Sequence, residues 1–288
     1  MKWNNIELEK WNEKAPGKFI EKPFLTHYIE KGKGDPIILL HGYFFDHHLW
    51  DYNIDELAKY YKVYALDLWG FGYSSRDEHD HSYNLYCQQT LSFMTTLNID
   101  SAHFIGQSMG GGTIIKLALD HPKKIKSMTL IDPSGMPNPQ PLIAKIFSLK
   151  GVGEFFLNRP GMSIRRKNMM KFWVHNKSIA TKSFMETMLA HHQVKGTTYS
   201  LLNILRNNFW PTLLAEIKQL SDTKIPCHII WGRDEKGIPL ETGQTMANII
   251  KKASFHIIEE AGHAPNLDQA EIVNSIILHN LNQYAYLC

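Results

Sequence analysis

The sequence predicts an α/β protein with a mostly parallel sheet that is flanked by helices and interrupted by a helical insertion. Three observations support this fold class. Short apolar runs alternate with helix-like stretches along most of the chain, which is typical of parallel sheets covered on both faces. The alternation breaks between Asp132 and Trp210, where only helix-like segments occur. A serine between glycines, at residues 106–110, stands where an apolar run meets a helix-like stretch.

The elements follow from the period of the apolar residues and from the turn-forming residues between them. Strands are predicted near residues 24–30, 36–41, 62–67, 102–107, 125–131, 226–231 and 254–259. Helices are predicted near residues 47–60, 83–98, 109–120, 241–252 and 266–282. Residues up to about 22 form a polar lead-in whose structure the pattern leaves open.

The insertion begins at a linker with four prolines between residues 133 and 141. We therefore divide the chain into a core, residues 1–135 and 211–288, and a helical cap, residues 136–210, placed over the serine. The cap is rich in methionine and aromatic residues, which favour a flexible apolar pocket. The alternative is that these side chains only pack the cap onto the core. The pocket is predicted to include Phe44, Met136, Phe172, Trp173 and Met188.

Ser108 lies in a G-x-S-x-G motif between Gly106 and Gly110. The turn from strand to helix predicts a left-handed φ at Ser108, which few residues other than glycine adopt. The glycines let the two arms of the turn approach each other, and the strain exposes the hydroxyl at the end of the sheet. The motif therefore predicts a nucleophile. An incidental serine in a glycine-rich turn is the competing explanation.

Candidate partners of this serine follow it in the chain. Asp234 comes just after the predicted strand 226–231, and His263 comes just after the predicted strand 254–259. Open α/β sheets place their working residues at these carboxyl ends, and serine, acid and histidine occur here in the order that an elbow serine requires. We predict Ser108 as the nucleophile, His263 as the general base and Asp234 as the acid that orients it. Asp132 is the second choice for the acid.

A third predicted feature is an oxyanion hole. The apolar run that ends at Leu40 leads into a loop that begins with His41 and Gly42. A backbone N–H of this loop is expected to pair with the N–H of Met109. We assign the loop donor to Tyr43, with Phe44 as the neighbouring alternative, and we interpret His41 as a brace for the loop.

With these motifs the chain resembles the α/β-hydrolase fold superfamily. Residues 67–74 are similar to the D-x-x-G-x-G-x-S turn of that family, residues 41–50 to its His-Gly loop, and residues 262–268 to its terminal histidine motif. The resemblance covers the chain from about residue 24 to the end, apart from the insertion. It implies a largely eight-stranded, mostly parallel sheet with an inserted helical cap.

The activity implied is hydrolysis of a carboxylic ester through Ser108, His263 and Asp234, with a small to medium apolar substrate. Carbon–carbon bond, lactone or thioester hydrolysis stays open, as does a receptor-like ligand-binding role with little turnover. Carbon–carbon bond hydrolases of this family usually carry a tryptophan after the terminal histidine, where this chain has Ala264.

Composition narrows the partners and the location. The 288 residues carry 31 basic and 28 acidic side chains, a balance that does not indicate nucleic-acid binding. Three cysteines without metal-like spacing favour a reducing compartment, and the start of the chain does not look like a signal peptide. We expect a cytoplasmic protein without a membrane span that binds a small-molecule substrate. The oligomeric state stays open.

We expect no cofactor and no metal ion. The acidic and histidine-containing segment at residues 77–81 is short, and nothing near it in the sequence completes a coordination shell. A basic cluster in the cap could attract an anionic substrate, although a solvated helix face is the favoured interpretation. This cluster consists of Arg165, Arg166, Lys167 and Lys171.

Overall fold

The computed structural model describes residues 2–138, 142–159, 161–207 and 211–285. Eight strands form a single sheet in the order β1-β2-β4-β3-β5-β6-β7-β8. The strands are β1 (Lys18–Ile20), β2 (Thr26–Lys31), β3 (Pro36–Leu40), β4 (Lys62–Leu66), β5 (Ala102–Gln107), β6 (Ile125–Ile131), β7 (Cys227–Gly232) and β8 (Ser254–Ile258). Strand β2 is antiparallel to both of its neighbours, and the pairs from β4 to β8 are parallel.

Helices cover both faces of the sheet. Those of the core are α1 (Leu8–Asn12), α2 (Ile54–Leu57), α3 (Tyr83–Thr96), α4 (Met109–Asp120), α10 (Leu214–Leu220), α11 (Leu240–Ile249), α12 (Pro265–Asp268) and α13 (Ala270–Ala285). Five more helices lie between β6 and α10: α5 (Leu142–Ser148), α6 (Val152–Asn158), α7 (Met162–Phe172), α8 (Lys182–Met188) and α9 (Thr197–Arg206). Short 3-10 turns occur at His47–Trp50, Pro122–Lys124 and Ala190–Gln193. Among the described residues, no helix is long and apolar enough to cross a lipid bilayer.

The sheet separates two apolar cores because side chains alternate along each strand. On β3, Ile38 and Leu40 belong to the core that also contains residues of α3 and α4. Ile37 and Leu39 belong to the core on the other face, which contains residues of α13. All four side chains are fully buried. Burial on both faces explains why these strands read as continuous apolar runs in the sequence.

The predicted α/β-hydrolase fold is confirmed, with local differences. The predicted helix over residues 47–60 is wrong: the structure has a 3-10 turn and the one-turn helix α2. Polar side chains prefer local turns here, since Asp46 accepts a hydrogen bond from the His48 backbone N–H at 3.0 Å. The Asn53 amide donates to the Asn274 side chain at 2.8 Å.

Strand β1 and helices α1 and α10 were not predicted. Strand β1 has only three residues, and only Ile20 of these is buried, so its apolar signal is weak. The helical insertion is observed, but the predicted cap boundary at residue 210 lies outside the described residues. The same holds for two prolines of the predicted linker and for Cys288.

Candidate active site

Ser108 sits between β5 and α4 with φ 52° and ψ −114°. The left-handed backbone predicted for it is confirmed, and such strain costs roughly 1–3 kcal/mol in a residue other than glycine. Its backbone N–H donates to Ile131 O at 2.9 Å, and its carbonyl accepts from the Ser134 N–H at 3.0 Å. A Cβ added at Gly110 would lie only 2.0 Å from Leu40 O. The helix therefore begins against β3, as close packing of the elbow requires.

His263 pairs with Glu235 and not with Asp234. The His263 Nδ1 hydrogen-bonds to Glu235 Oε2, and the Glu235 side chain is fully buried. The other oxygen of Glu235 accepts from the backbone N–H of Ile238 at 2.9 Å and from that of Gly237. These donors fix the carboxylate behind the imidazole.

The predicted contact between Asp234 and His263 is wrong. The Asp234 carboxylate lies 2.9 Å from His175 Nδ1, and its side chain is 41% exposed. The Asp234 backbone N–H bonds to Ala261 O, so the loop turns at this point and the next residue faces the histidine. The loop after β7 was predicted correctly as the source of the acid. Asp234 and Glu235 both lie in this loop, and only the path of its backbone determines which carboxylate reaches His263.

Asp132, the second candidate for the acid, is fully buried with φ 40°. Its Oδ1 accepts from the Gly232 N–H at 3.1 Å. Burial and the nearby charge of Glu235 raise the pKa of Asp132 well above its ordinary value. Asp132 bonds to the backbone of β7, whereas Glu235 bonds to the ring of His263. The geometry assigns the position behind His263 to Glu235.

Gln107 joins the histidine loop to the elbow. Its side-chain amide donates to His263 O at 2.6 Å. A Cβ added at Gly42 would lie 2.1 Å from Gln107 Oε1 and 3.0 Å from Ser108 Cβ. The loops after β3, β5 and β8 thus converge at Ser108. Gln107 was not predicted as a site residue, although it directly precedes the predicted nucleophile.

The loop after β3 carries Tyr43, the predicted oxyanion donor, and Phe44, which has a φ of 73°. The Tyr43 hydroxyl donates to Leu201 O at 2.8 Å, which ties this loop to the cap helix α9. Met109 is the first residue of α4. A backbone N–H in the first turn of a helix has no acceptor within that helix, so the Met109 N–H stays the predicted second donor for an anion.

His41 braces this loop, as predicted. The His41 Nε2 accepts a hydrogen bond from the Leu68 N–H at 3.0 Å, which places the ring proton on Nδ1, 2.8 Å from Gly42 O. Burial lowers the pKa of His41 to about 4. The ring is therefore a neutral structural group near pH 7.

The cap meets the site at Trp173. Its ring lies 5.3 Å from the His263 ring and 5.8 Å from the Phe44 ring, measured between centroids. Its carbonyl accepts from the Ala264 N–H at 3.1 Å. These contacts place Trp173 beside the histidine and Phe44 beside Trp173.

The other predicted pocket residues differ in their surroundings. Met136 is buried in the core that also contains residues of α3 and α4. Met188 is buried in the core on the other face of the sheet. Phe172 is 46% exposed, with the Lys171 ammonium 4.8 Å from its ring centroid. The place of Phe172 in the pocket stays a prediction.

A small cavity of about 30 Å³ opens beside Met109, enough for one or two water molecules. Its lining comes from the loop before α3, from α3 and from the end of the cap. These residues are His81, Ser82, Tyr83, Tyr86, Met109, Ile204, Asn207 and Pro211. None of these residues was predicted to line the pocket, because the predicted pocket was drawn mainly from the cap.

Two groups of described residues lie close enough to hold a metal ion, and neither involves residues 77–81. One is His27, His47 and Asp67, and the other is Asp46, His47 and His48. In the first, Asp67 receives hydrogen bonds from both histidine rings at 2.7 and 2.9 Å. Burial opposes its charge, but the two histidines outweigh this and hold the pKa of Asp67 well below its ordinary value. The proximity of His27, His47 and Asp67 is therefore explained by a buried hydrogen-bond network.

Comparison with known proteins places this geometry in a family. The family model for the alpha/beta hydrolase fold matches residues 35–270. A 2-hydroxy-6-oxononadienedioate/2-hydroxy-6-oxononatrienedioate hydrolase from Paraburkholderia phymatum is 28% identical, covering 90% of this chain and 91% of that protein. A 2-hydroxy-6-oxo-6-phenylhexa-2,4-dienoate hydrolase from Comamonas testosteroni is 25% identical, with coverage of 96% and 99%.

Solved structures agree. The crystal structure of a meta-cleavage product hydrolase, CumD, has a TM-score of 0.80 at 25% identity, covering 93% of this chain and 98% of that one. A thermophilic esterase from Thermogutta terrifontis shares the fold with a TM-score of 0.78 at 21% identity, covering 93% and 99%. Because the family model spans most of its length, the chain belongs to the α/β-hydrolase fold family and is a hydrolase.

Proposed function

We propose that this protein is a serine hydrolase that breaks a carbon–carbon bond next to a ketone, in substrates of the 2-hydroxy-6-oxo-dienoate class. The observation that supports the chemistry best is the pair of buried Glu235 and His263, whose loop is hydrogen-bonded to Gln107, next to the strained Ser108. The bond type is supported by relatives of nearly full length whose names describe hydrolases of such compounds. Carboxylic ester hydrolysis, favoured by the sequence, becomes the second candidate.

The proton chemistry follows from the histidine's partner. An ionised carboxylate only accepts hydrogen bonds, so Glu235 keeps the ring proton of His263 on Nδ1. Nε2 then carries a lone pair and takes the proton of Ser108 as its oxygen attacks the ketone carbon. Glu235 stabilises the imidazolium that results. The N–H groups of Met109 and Tyr43 bind the developing oxyanion.

The bond to the ketone carbon then breaks. In the 2-oxo tautomer of the substrate the carbon next to the ketone is saturated, so the electron pair of the broken bond passes into a conjugated dienolate. This leaving fragment, and not the ketone carbon, takes the proton from His263. The ketone carbon stays on Ser108 as an ester. Water, deprotonated by His263, attacks this ester and releases a carboxylic acid and free Ser108. Each step uses the same side chains as ester hydrolysis, and the two candidates differ only in the leaving group.

One residue favours the ester alternative. Ala264 is fully buried directly after His263, at the position where resemblance to carbon–carbon bond hydrolases leads us to expect a tryptophan. Because alanine has a methyl group where tryptophan has an indole, the side chain at position 264 contributes less surface to the space beside the histidine. A substrate without a conjugated dienoate is compatible with this change, so both substrate types belong in the test.

The test compares two substrates on the purified protein. Loss of the visible absorbance of 2-hydroxy-6-oxo-6-phenylhexa-2,4-dienoate reports carbon–carbon cleavage, and release of p-nitrophenol from esters of increasing chain length reports ester cleavage. We expect the dienoate to give the higher kcat/KM, and Ser108→Ala to abolish it. A higher kcat/KM on the esters would instead support the second candidate.

A fluorophosphonate probe separates a hydrolase from a ligand-binding protein with little turnover. We expect covalent labelling of Ser108 that is lost in Ser108→Ala. A folded protein that neither reacts with the probe nor turns over any substrate would contradict both candidate activities.

A cytoplasmic location is also proposed. Cys87 and Cys227 are buried free thiols, and burial raises the pKa of each to about 12. Such cysteines act as small apolar side chains in a reducing compartment. Fractionation of producing cells checks the location.

A further inference from the structure

His192 belongs to the cap, yet its ring touches the loop that follows β3. Its Nε2 lies 3.1 Å from Phe44 O. The ring also stacks on the Phe44 ring, with centroids 5.3 Å apart and planes 30° apart. The side chain is almost completely buried. A cap residue thus holds the strained peptide next to Tyr43, the proposed oxyanion donor.

The tautomer of His192 is fixed by a second neighbour. Arg165 Nη1 lies 2.9 Å from His192 Nδ1. A guanidinium group only donates hydrogen bonds, so Nδ1 must accept. A neutral imidazole has one N–H group, which is therefore on Nε2 and donates to the Phe44 carbonyl.

Other contacts keep this arrangement in place. Burial, together with the charges of His191 and Arg165, lowers the pKa of His192 well below its ordinary value, so the ring stays neutral near pH 7. The Arg165 guanidinium lies 3.9 Å above the Trp3 ring and also donates to Leu157 O. The His192 carbonyl accepts from the backbone N–H of residue 4 at 3.0 Å. The N-terminal segment therefore supports the cap where the cap supports the loop.

We propose that His192 is a positioning residue for the oxyanion loop. Its Nε2–H group holds the Phe44 carbonyl, so that the backbone of Tyr43 and Phe44 keeps its place beside Ser108. The inference rests on the proposed serine hydrolase function, since an oxyanion must develop there for this orientation to matter. His192 itself does not need to touch substrate. Its loss should lower transition-state stabilisation and leave ground-state binding unchanged.

Two matched variants test this role. His192→Phe keeps a ring for the stack but removes both hydrogen bonds, whereas His192→Gln keeps an amide N–H near the position of Nε2. We expect kcat to fall about tenfold in His192→Phe, the size of effect that one neutral hydrogen bond supports, with KM unchanged. His192→Gln should recover most of the loss. A trifluoromethyl ketone that forms an oxyanion adduct with Ser108 should bind more weakly by the same factor as kcat/KM.

Wild-type kcat in a folded His192→Phe variant would overturn the proposal. So would a loss confined to KM, or a glutamine variant no better than the phenylalanine variant. Circular dichroism melts establish that the variants fold.

A measurement on the unsubstituted protein does not depend on turnover. Histidine ¹⁵N NMR should show His192 neutral and protonated on Nε2 between about pH 5.5 and 8, with the signal assigned by its absence in His192→Gln. An Nδ1-protonated or doubly protonated ring would overturn the proposal. Failure of the proposed function would appear differently, as an unreactive Ser108 with the predicted tautomer intact.

Discussion

The exchange of Glu235 for glutamine is the sharpest test of the site, because the structure dictates how the amide must orient. Two backbone N–H groups, of Gly237 and Ile238, donate to Glu235 Oε1. The glutamine oxygen must stay there to accept them, so its NH₂ group turns toward His263 Nδ1. An amide NH₂ only donates, which forces Nδ1 to accept and moves the ring proton to Nε2. His263 then cannot take the proton of Ser108.

The expected loss is large. Holding a catalytic histidine in the wrong tautomer lowers kcat by about 10⁴-fold in serine proteases, which corresponds to roughly 5 kcal/mol of transition-state stabilisation. We expect a fall of about 10³- to 10⁴-fold in kcat for Glu235→Gln, with KM changed little.

Asp234→Asn is the matched control, one residue away. It alters an ion pair with His175 in which both side chains are more than 40% exposed, and such pairs contribute about 0–1 kcal/mol. We expect kcat within about twofold of the unsubstituted protein. The assay is steady-state kinetics on the better substrate, with melting curves for both variants. An Asp234→Asn variant that loses as much activity as Glu235→Gln, or a Glu235→Gln variant that stays active, would contradict this role of Glu235.

Three further predictions concern stability. Gly110→Ala should destabilise by about 4 kcal/mol or more, because its Cβ would lie 2.0 Å from Leu40 O; Gly161→Ala, with its nearest neighbour at 4.0 Å, should melt as the unsubstituted protein does. Asp67→Asn should cost about 3–5 kcal/mol in urea unfolding, since it breaks a buried charge network, and a loss below 1 kcal/mol would contradict this. Burial opposes the charge of His48, but the Asp46 carboxylate outweighs burial and raises the pKa of His48 to about 9. The stability it contributes, at most about 3 kcal/mol, is complete below pH 6.5 and lost as pH rises through 9; His48→Gln should remove that pH dependence.

Features that depend on neighbouring residues could be predicted from the sequence, whereas features that depend on distant contacts could not. The elbow at Ser108 was predicted because an apolar strand, a strained turn and a glycine-rich helix start occupy adjacent residues. The assignment of Asp234 failed by one residue. Both carboxylates follow the same strand, and the choice is made by a hydrogen bond from the Asp234 N–H to Ala261 O, 27 positions further along the chain.

The cap was harder to interpret for a related reason. Apolar residues of α7 lie all round the helix, so its sequence does not indicate a single buried face. Met169 is buried, whereas Ile164 and Phe172 are exposed. The contact of His192 with the oxyanion loop joins residues 148 positions apart. Neither the buried side of α7 nor the contact of His192 could be predicted from the spacing of residues along the chain.

The distribution of backbone strain links these observations to function. Six described residues other than glycine have a positive φ, and two of them are asparagines, which tolerate this conformation. The other four are Phe44, Ser108, Asp132 and Glu260, and they follow β3, β5, β6 and β8 at the edge of the sheet where the loops meet. No propensity places a phenylalanine or a glutamate in that region, so the surrounding contacts must hold them there. Apart from Asp132, these strained residues lie in the loops that carry Ser108, His263 and the proposed oxyanion donors. Strain there is what a preorganised site requires, because donors that are already oriented need not rearrange when charge develops.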